Sequence, residues 1–182
     1  MLDKLLQRKQ LTVVGLNSGT SVDGVDAAAI RLTRQGKNLR IRYLDGLTRE
    51  YPSQLRAKVL AAADWEKVPP DELVLLDAAL GRFFGKTARA IQKRLENSGI
   101  GVDLIASHGQ TVRHVPEPVE YAGARLSGTL QLASPERIAA ATNTVVVADF
   151  RQADIAIGGE GAPITAGAVE LLIASYGQSR LL

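Results

Sequence analysis

The 182-residue chain contains no cysteine, which excludes disulfide bonds, a thiol nucleophile and a cysteine-bound metal. Aromatic residues make up only 4% of the chain, so few rings are available to stack on nucleic-acid bases. The net charge is only +3, and the basic residues are spread along the chain instead of clustered. These shortages count against a disulfide-stapled fold, a thiol enzyme and a nucleic-acid groove.

No apolar run approaches the roughly 18 residues of a membrane span, and the charged segment Met1–Gln10 lacks the apolar centre of a signal peptide. We therefore expect a cytoplasmic protein without a membrane partner, and a short frayed helix over Met1–Gln10. The content of 46% hydrophobic and 23% charged residues is typical of a globular protein. Frequent alanine and glycine favour close-packed α/β layers.

The chain is organised around Leu11–Leu32, where two apolar runs flank the polar centre NSGTSVDG. Runs bounded by Gly, Asn, Ser and Asp predict two strands joined by a tight loop. Gly19 and Gly24 permit close backbone approach, and Thr20 and Ser21 add hydroxyl donors, so the loop suits a phosphate. No Gly-Lys-Ser/Thr follows, and no helix comes directly after the glycines, so neither common nucleotide fingerprint fits. On composition alone, an ordinary polar turn remains the alternative.

Two carboxylates, Asp23 and Asp26, carry the acidic charge of this loop. Direct contact between them and a phosphate would be repulsive. Together they can instead hold a hydrated Mg²⁺ beside the phosphates.

Hydrophobic periodicity and turn residues predict the remaining elements. We expect strands over Asn38–Leu47, Val102–Ala106, Thr129–Leu132 and Thr144–Ala148, and helices beginning at Ser53 and covering Asp71–Ser98, Pro135–Thr142 and Thr165–Tyr176. The first three strands should form an antiparallel meander. In the long helix Gly81 and Gly85 are spaced for close packing, and Gly99 is a natural stop.

Three polar clusters follow predicted strands: the Gly19–Asp26 loop, SHGQTVRH at 107–114 and DFRQADIAIGGEGAP at 149–163. Ligands of open α/β sheets bind at the carboxyl ends of strands, so three such clusters predict a shared cleft. SHGQTVRH offers the directional donors and acceptors that a polyhydroxylated substrate needs. Zinc is disfavoured because the spacing of His108 and His114 fits no helical pair.

Asp149 and Arg151 are expected on the same side of a strand end, two residues apart. Arg151 could bind a carboxylate bidentately, and an ion pair with Asp149 or Asp154 is an equally open interpretation. For His108 taken alone, a core histidine bonded to neighbouring backbone is the preferred interpretation.

These motifs resemble those of the anhydro-N-acetylmuramic acid kinases, in the actin/hexokinase/Hsp70-like superfamily. GLNSGTSVDGVDAA is similar to G-x-M-S-G-T-S-x-D-G-x-D, with Asn17 in place of Met. SHGQTVRH is similar to S/C-H-G-Q-T-V-x-H, and DFRQADIAIGGEGAPI to D-F-R-x-x-D-I-A-x-G-G-Q-G-A-P-L, with Glu160 and Ile164 as departures. At 129–134 the family's T-L-Q-I-G-D stands as TLQLAS, which removes a carboxylate.

The resemblance implies an α/β, actin-like (ribonuclease H-like) ATPase lobe with a mixed sheet and flanking helices. It implies ATP-dependent opening of the 1,6-anhydro ring of anhydro-N-acetylmuramic acid with phosphorylation at the 6-oxygen, in peptidoglycan recycling, with ATP and Mg²⁺ as cofactors. The nucleotide-binding residues it implies are Gly19, Thr20, Ser21, Val22, Asp23, Gly24, Val25 and Asp26, with Mg²⁺ on Asp23 and Asp26. The substrate-binding residues it implies are His108, Gln110, Thr111, Asp149 and Arg151.

The family aspartate taken as the catalytic base lies in a D-T-G-P-G-N motif that does not occur in this chain, so the catalytic residue stays unassigned. We expect residues 1–182 to form the N-terminal lobe of a two-lobed sugar kinase, without the second lobe. Expected partners are the anhydro-amino-sugar and either the second lobe or another copy of the chain. The alternative is a non-catalytic or truncated nucleotide- or sugar-binding lobe acting as a regulatory or split subunit. An Hsp70-like chaperone lobe would not explain SHGQT or GGEGAP.

Overall fold

The computed structural model describes residues 5, 7–36, 38–64, 68–164 and 169. The predicted helix over Thr165–Tyr176 lies outside these residues except at position 169, and five of the ten residues of the predicted frayed helix, 1–4 and 6, lie outside them too. The strands are β1 (Gln10–Ser18), β2 (Gly24–Gln35), β3 (Asn38–Glu50), β4 (Leu104–Tyr121), β5 (Ala124–Leu132) and β6 (Val145–Val147). The helices are α1 (Ser53–Asp64), α2 (Pro70–Asn97), α3 (Pro135–Thr142) and α4 (Phe150–Ala156).

The strands form one mixed sheet in the order β3-β2-β1-β4-β5, with β6 paired to β4. The first three strands pair antiparallel with their sequence neighbours, as the predicted meander requires. β1 and β4 pair in parallel, and the two helices α1 and α2 make the crossover between them. The predicted α/β class with a mixed sheet and flanking helices is confirmed. The actin-like assignment stays a prediction.

Buried and exposed side chains alternate along β2, as they do in a strand with one face in the core. Val25, Ala27 and Ala29 are buried against the helices, whereas Ala28 faces the opposite side of the sheet and is exposed. The long helix α2 supplies most of the opposing surface, with one side of its 3.6-residue period turned to the sheet. Its core residues include Leu76, Leu80, Phe84, Ala88, Ile91 and Leu95.

Two glycines allow α2 to lie directly against α3 and the segment before it. A Cβ atom at Gly81 would lie 2.9 Å from the backbone oxygen of Ser134, and one at Gly85 would lie 2.9 Å from Cβ of Ala141. The predicted packing role of both glycines is confirmed. At the end of α2, Gly99 has φ +72° and its N–H bonds Glu96, so the predicted stop is confirmed as well.

The structure corrects the prediction that a short strand ends at Ala106 and is followed by a polar loop. β4 runs on to Tyr121 because it changes partners: its parallel pairing with β1 gives way to antiparallel pairing with β5. The change takes place around Gly109, whose φ is +72°. A Cβ atom there would lie 2.8 Å from the carbonyl oxygen of Leu132 on β5, so this crossing requires glycine.

A second correction concerns Asp149 and Arg151, which do not share one side of a strand end. Asp149 has φ +60° and precedes the short helix α4, whose second residue is Arg151. No helix in the described part of the chain combines the length and the apolar character that crossing a bilayer requires.

Candidate functional site

The loop between β1 and β2 turns its carbonyl groups towards the protein. Val22 has φ +51° and its N–H closes a turn onto the Gly19 oxygen at 3.2 Å. The other carbonyl contacts come from outside the loop: Gln110 Nε2 to Gly19 at 3.3 Å, Arg56 Nη2 to Ser21 at 3.4 Å, Arg56 Nε to Val22 at 2.8 Å, Tyr51 N to Asp23 at 2.9 Å and Ser18 Oγ to Gly24 at 2.7 Å. Five carbonyl groups are therefore occupied.

Three amide groups of the same loop are available. Within the described residues, no hydrogen bond takes the backbone N–H of Thr20, Ser21 or Asp23. A loop whose carbonyls are bound inside the protein and whose neighbouring N–H groups are open can offer those N–H groups to an anion. Gly24 is required for a different reason from the expected one, because a Cβ there would collide with the carbonyl of Arg49 on β3.

Not every residue of the predicted phosphate loop can use its side chain. Val22 and Val25 are buried in the core, so only their backbone could contribute to ligand binding. Asp26 lies on the open side of the sheet and its Oδ1 accepts a hydrogen bond from Thr48 at 2.5 Å. Asp23 Oδ1 accepts from the hydroxyl of Ser21 at 2.9 Å.

The two carboxylates fit a magnesium ion only if a ligand supplies the remaining donors. The described residues contain no group of three or more His, Cys, Asp or Glu side chains placed to hold a metal. Mg²⁺ usually keeps several waters and takes one or two carboxylates together with substrate phosphates. Asp23 and Asp26 supply two carboxylates of the kind that this donor set requires, and a bound phosphate would have to supply further ligands.

Gln110 is only 1% exposed and holds the β1–β2 loop from the interior of the protein. Its amide nitrogen donates to the carbonyls of Gly19 and Thr111, each at 3.3 Å. Its Oε1 lies 2.6 Å from Ser18 Oγ, whose single proton is shared between this oxygen and the Gly24 carbonyl, and 3.5 Å from the hydroxyl of Tyr51. All the hydrogen-bonding capacity of this side chain is thus used inside the protein, whereas the sequence predicted a sugar contact for it.

Tyr51 closes the same buried network. Burial raises the pKa of Tyr51 to about 12, and the nearby charge of Asp23 adds to the rise, whereas a hydrogen bond with Ser18 opposes it. The phenol therefore stays neutral and acts as a hydrogen-bonding group.

A groove of about 550 Å³ lies on the open side of the sheet, and each of the three polar clusters contributes to it. Its floor consists of small residues in register, because Gly15 pairs with Ala28 on one side and with Ala106 on the other. The side chains around this floor belong to Asn17, Asp26, His108, Phe150, Arg151 and Ile164, and Leu16 contributes only its backbone because its side chain is buried in the core on the other side of the sheet. The structure thus brings the predicted residues Asp26, His108 and Arg151 to one place.

His108 and Arg151 are bonded to each other in this groove. Arg151 Nε donates to His108 Nε2 at 2.8 Å, and Arg151 Nη1 donates to the carbonyl of Gly161 at 2.6 Å. His108 Nδ1 lies 3.1 Å from the Gly109 carbonyl, which makes Nδ1 the protonated nitrogen of a neutral ring. Burial, and after it the charge of Arg151, lower the pKa of His108, while the bond to Gly109 opposes this effect.

The other predicted substrate residues lie outside the groove. Thr111 accepts a hydrogen bond from Gln131 at 3.3 Å, and Asp149 borders a separate cavity of about 30 Å³. Among the described residues, no ion pair joins Arg151 to Asp149 or to Asp154. Asp154 instead accepts from the N–H of Gly161 at 2.8 Å, so it shapes the glycine-rich loop together with Arg151.

Sequence reasoning did not single out Arg56 or Thr48. Arg56 lies on α1, which follows β2 and β3 in the chain. It contacts the loop only because the tertiary fold brings the helix there. Thr48 meets Asp26 only because the register of β2 and β3 places them opposite each other. Neither position carries a local motif that would have identified it.

The model of the family described as "Anhydro-N-acetylmuramic acid kinase" matches residues 11–182. A protein of that name from Trichormus variabilis is 40% identical over 171 residues, covering 93% of this chain and 43% of its own length. One from Salinibacter ruber is 38% identical over 166 residues, covering 90% of this chain and 42% of its own length. The chain thus spans less than half of these relatives. A solved structure of CasPhi-2 bound to crRNA has a TM-score of 0.21 and 19% identity over 54% of this chain and 16% of its own, a likeness that carries no argument.

Proposed function

The chain belongs to the anhydro-N-acetylmuramic acid kinase family, and from this membership we propose that it forms one lobe of an ATP-dependent sugar kinase. The proposed reaction opens the 1,6-anhydro ring of anhydro-N-acetylmuramic acid by adding water at the anomeric carbon, and transfers phosphate to the 6-oxygen. It would serve peptidoglycan recycling in the cytoplasm. The sheet order β3-β2-β1-β4, a meander followed by a parallel crossover, supports an actin-like lobe for this task.

The open amide groups of the β1–β2 loop support a phosphate site. Thr20, Ser21 and Asp23 would direct their N–H groups at the phosphates of ATP, because the carbonyls around them are bound inward. Asp23 and Asp26 would hold Mg²⁺, which neutralises phosphate charge when bound. The contribution of this lobe to the reaction is positioning and charge stabilisation.

The sugar side of the site depends on Arg151. Its Nε and Nη1 are occupied by His108 and Gly161, and no partner within the described residues takes Nη2. A guanidinium held on one side and open on the other is suited to a carboxylate. The lactyl group of a muramic acid carries such a carboxylate, so we assign Arg151 to it, with His108 fixing the orientation of the guanidinium.

The observation that carries this proposal is the groove itself. Residues from three separate motifs, at 15–28, 106–108 and 150–164, meet on a floor of small residues, and the first of these motifs contains the proposed phosphate loop. If the β1–β2 loop were only a polar turn, there would be no reason for the other two motifs to lie beside it.

The test measures sugar phosphate formed from ATP, Mg²⁺ and anhydro-N-acetylmuramic acid. Three samples are compared: this chain, this chain mixed with the part of the Trichormus variabilis relative beyond the matched segment, and that part alone. We expect product only in the mixture, because the chain contains no D-T-G-P-G-N aspartate. The mixture must also bind ATP and the sugar, which titrations on the same samples record. Binding of neither ligand, together with no product, would refute the proposed function.

The alternative function is a nucleotide- or sugar-binding lobe without catalysis, acting as a regulatory or split subunit. The same experiment separates the two functions. Saturable binding of ATP or of the sugar by this chain, with no product in any mixture that forms a complex, would favour a regulatory or split subunit. A second copy of the chain as partner would be seen as a dimer by sedimentation.

A further inference from the structure

We propose that Arg56 on helix α1 is a positioning residue for the nucleotide phosphates. It would act by holding the β1–β2 loop in the conformation whose amide groups point outward. This inference rests on the proposed phosphate site and adds to it a residue that belongs to none of the family motifs in the sequence.

The guanidinium of Arg56 binds two successive carbonyls at the tip of the loop. Nε donates to Val22 at 2.8 Å and Nη2 to Ser21 at 3.4 Å. Val22 is a β-branched residue held at φ +51°, a backbone conformation that such residues avoid. Without a partner that binds these two carbonyls, the peptide units on either side of Val22 would be free to turn and present oxygen to an anion.

The guanidinium is suited to this contact because of its shape as well as its charge. Its rigid fork donates in two fixed directions, whereas an ammonium group offers one compact point of charge. Among the described residues Arg56 takes part in no ion pair, so its contacts in the structure are these neutral carbonyls. The residue therefore acts on the loop and not on an acidic side chain.

The start of α1 is placed rigidly relative to the loop. The N–H of Tyr51 binds the Asp23 carbonyl at 2.9 Å, and α1 begins two residues later. Val59 and Ala62 of α1 are buried in the core, whereas Arg56 is exposed. Replacing Arg56 should thus change the loop and leave the attachment of the helix intact.

The experiment compares the chain carrying Arg56, Arg56→Gln, Arg56→Lys or Lys58→Gln. Lys58 lies on the same helix and pairs with Glu72, so Lys58→Gln controls for the loss of one positive charge. Two probes, magnesium triphosphate and MgATP, are titrated into each protein by NMR. Amide exchange of Val22, whose N–H closes the turn, is measured in the same samples without ligand.

We expect Arg56→Gln to bind both probes about tenfold more weakly, equivalent to about 1.4 kcal/mol, and to exchange the Val22 amide faster. Arg56→Lys should resemble Arg56→Gln, because a lysine keeps the charge but not the fork. Lys58→Gln should match the original chain in both measurements.

Three results would overturn the role of Arg56: unchanged affinity in Arg56→Gln, full affinity in Arg56→Lys, or an equal loss in Lys58→Gln. In each of them the original chain still binds, so the phosphate site would stand. If the original chain binds neither probe, the proposed phosphate site itself fails, and the role of Arg56 with it. The two failures are therefore distinguishable.

Discussion

Arg151 and His108, 43 positions apart, share one hydrogen bond in which the cationic side chain donates to the imidazole. A protonated imidazole could not accept this bond, since both of its nitrogens would then be donors. The contact joins β4 to α4 and therefore connects two of the three polar clusters. Its existence depends on the protonation state of His108.

We predict that the chain loses stability as the pH falls below the ordinary histidine value of 6.5. Burial and Arg151 lower the pKa of His108 in the folded chain, so the unfolded chain binds this proton more readily. Stability then rises with pH between the lowered folded pKa and 6.5 and levels off above that value. Urea midpoints measured between roughly pH 5 and pH 8 would record this slope.

His108→Gln should remove most of this pH dependence. The second histidine provides the control, because His114 is the only other one in the sequence, and His114→Gln should retain the slope. A slope that survives in His108→Gln but disappears in His114→Gln would contradict the assignment.

Arg151→Lys should weaken binding of the anhydro sugar about tenfold, because a lysine cannot keep both its partners and a two-point grip on a carboxylate. The same anhydro sugar without its lactyl acid should bind the original chain and Arg151→Lys equally. Arg82→Lys, at an exposed position of α2, is the matched control and should change nothing. Equal losses for both sugars would place Arg151 elsewhere than at the carboxylate.

Gly85→Ala should destabilise the chain by about 1–3 kcal/mol, even though alanine favours helices, because its Cβ would meet that of Ala141. Ala141→Gly should restore part of the loss in the double variant. No such rescue is expected for Gly81→Ala, since there the obstacle is backbone of Ser134. Denaturant unfolding of the original chain, Gly85→Ala, Ala141→Gly and the double variant gives the coupling energy between the two positions. Strictly additive losses in the double variant would argue against the contact.

Ala133→Gly should stabilise the chain by about 1 kcal/mol. Ala133 has φ +124°, a conformation essentially confined to glycine, and relief of that strain exceeds the loss of one buried methyl group. Ala122, at φ +50° in the exposed β4–β5 turn, is the comparison, and Ala122→Gly should be nearly neutral. A loss of stability in Ala133→Gly would show that the methyl group packs better than the backbone is strained.

The sequence predicted a secondary-structure element best where one hydrophobic period continues through the whole element. The bounds of α2 and α3 agree with the prediction to within one residue, because a helical period over a long segment is read locally. The course of β4 after Ala106 could not be predicted in this way. Its continuation depends on β5, which follows it in the chain, and on the partner change at Gly109.

The site residues show the same difference between what local sequence predicts and what only the tertiary fold determines. Asp26, His108 and Arg151 were selected for their chemical type, and the fold brings them to one groove. Their roles in binding stay predictions. Gln110 was selected by the same reasoning, yet its amide is engaged within the protein, because a side chain in the middle of a sheet has its direction set by register. Arg56 shows the reverse case, a residue with no motif that reaches the loop through helix placement.

Ser18 and Gln110 share a hydrogen bond although they lie 92 positions apart in the chain. This separation has a consequence for the order of folding. The strands β1, β2 and β3 pair with their neighbours in the chain and can form while later residues are still being synthesised. The amide of Gln110 reaches Gly19 only after α1 and α2 have folded back and β4 has paired with β1, which closes a long loop at an entropic cost. A nascent chain therefore exposes the β1–β2 loop well before the loop acquires its lasting shape, and the proposed phosphate site forms only after β4 has docked.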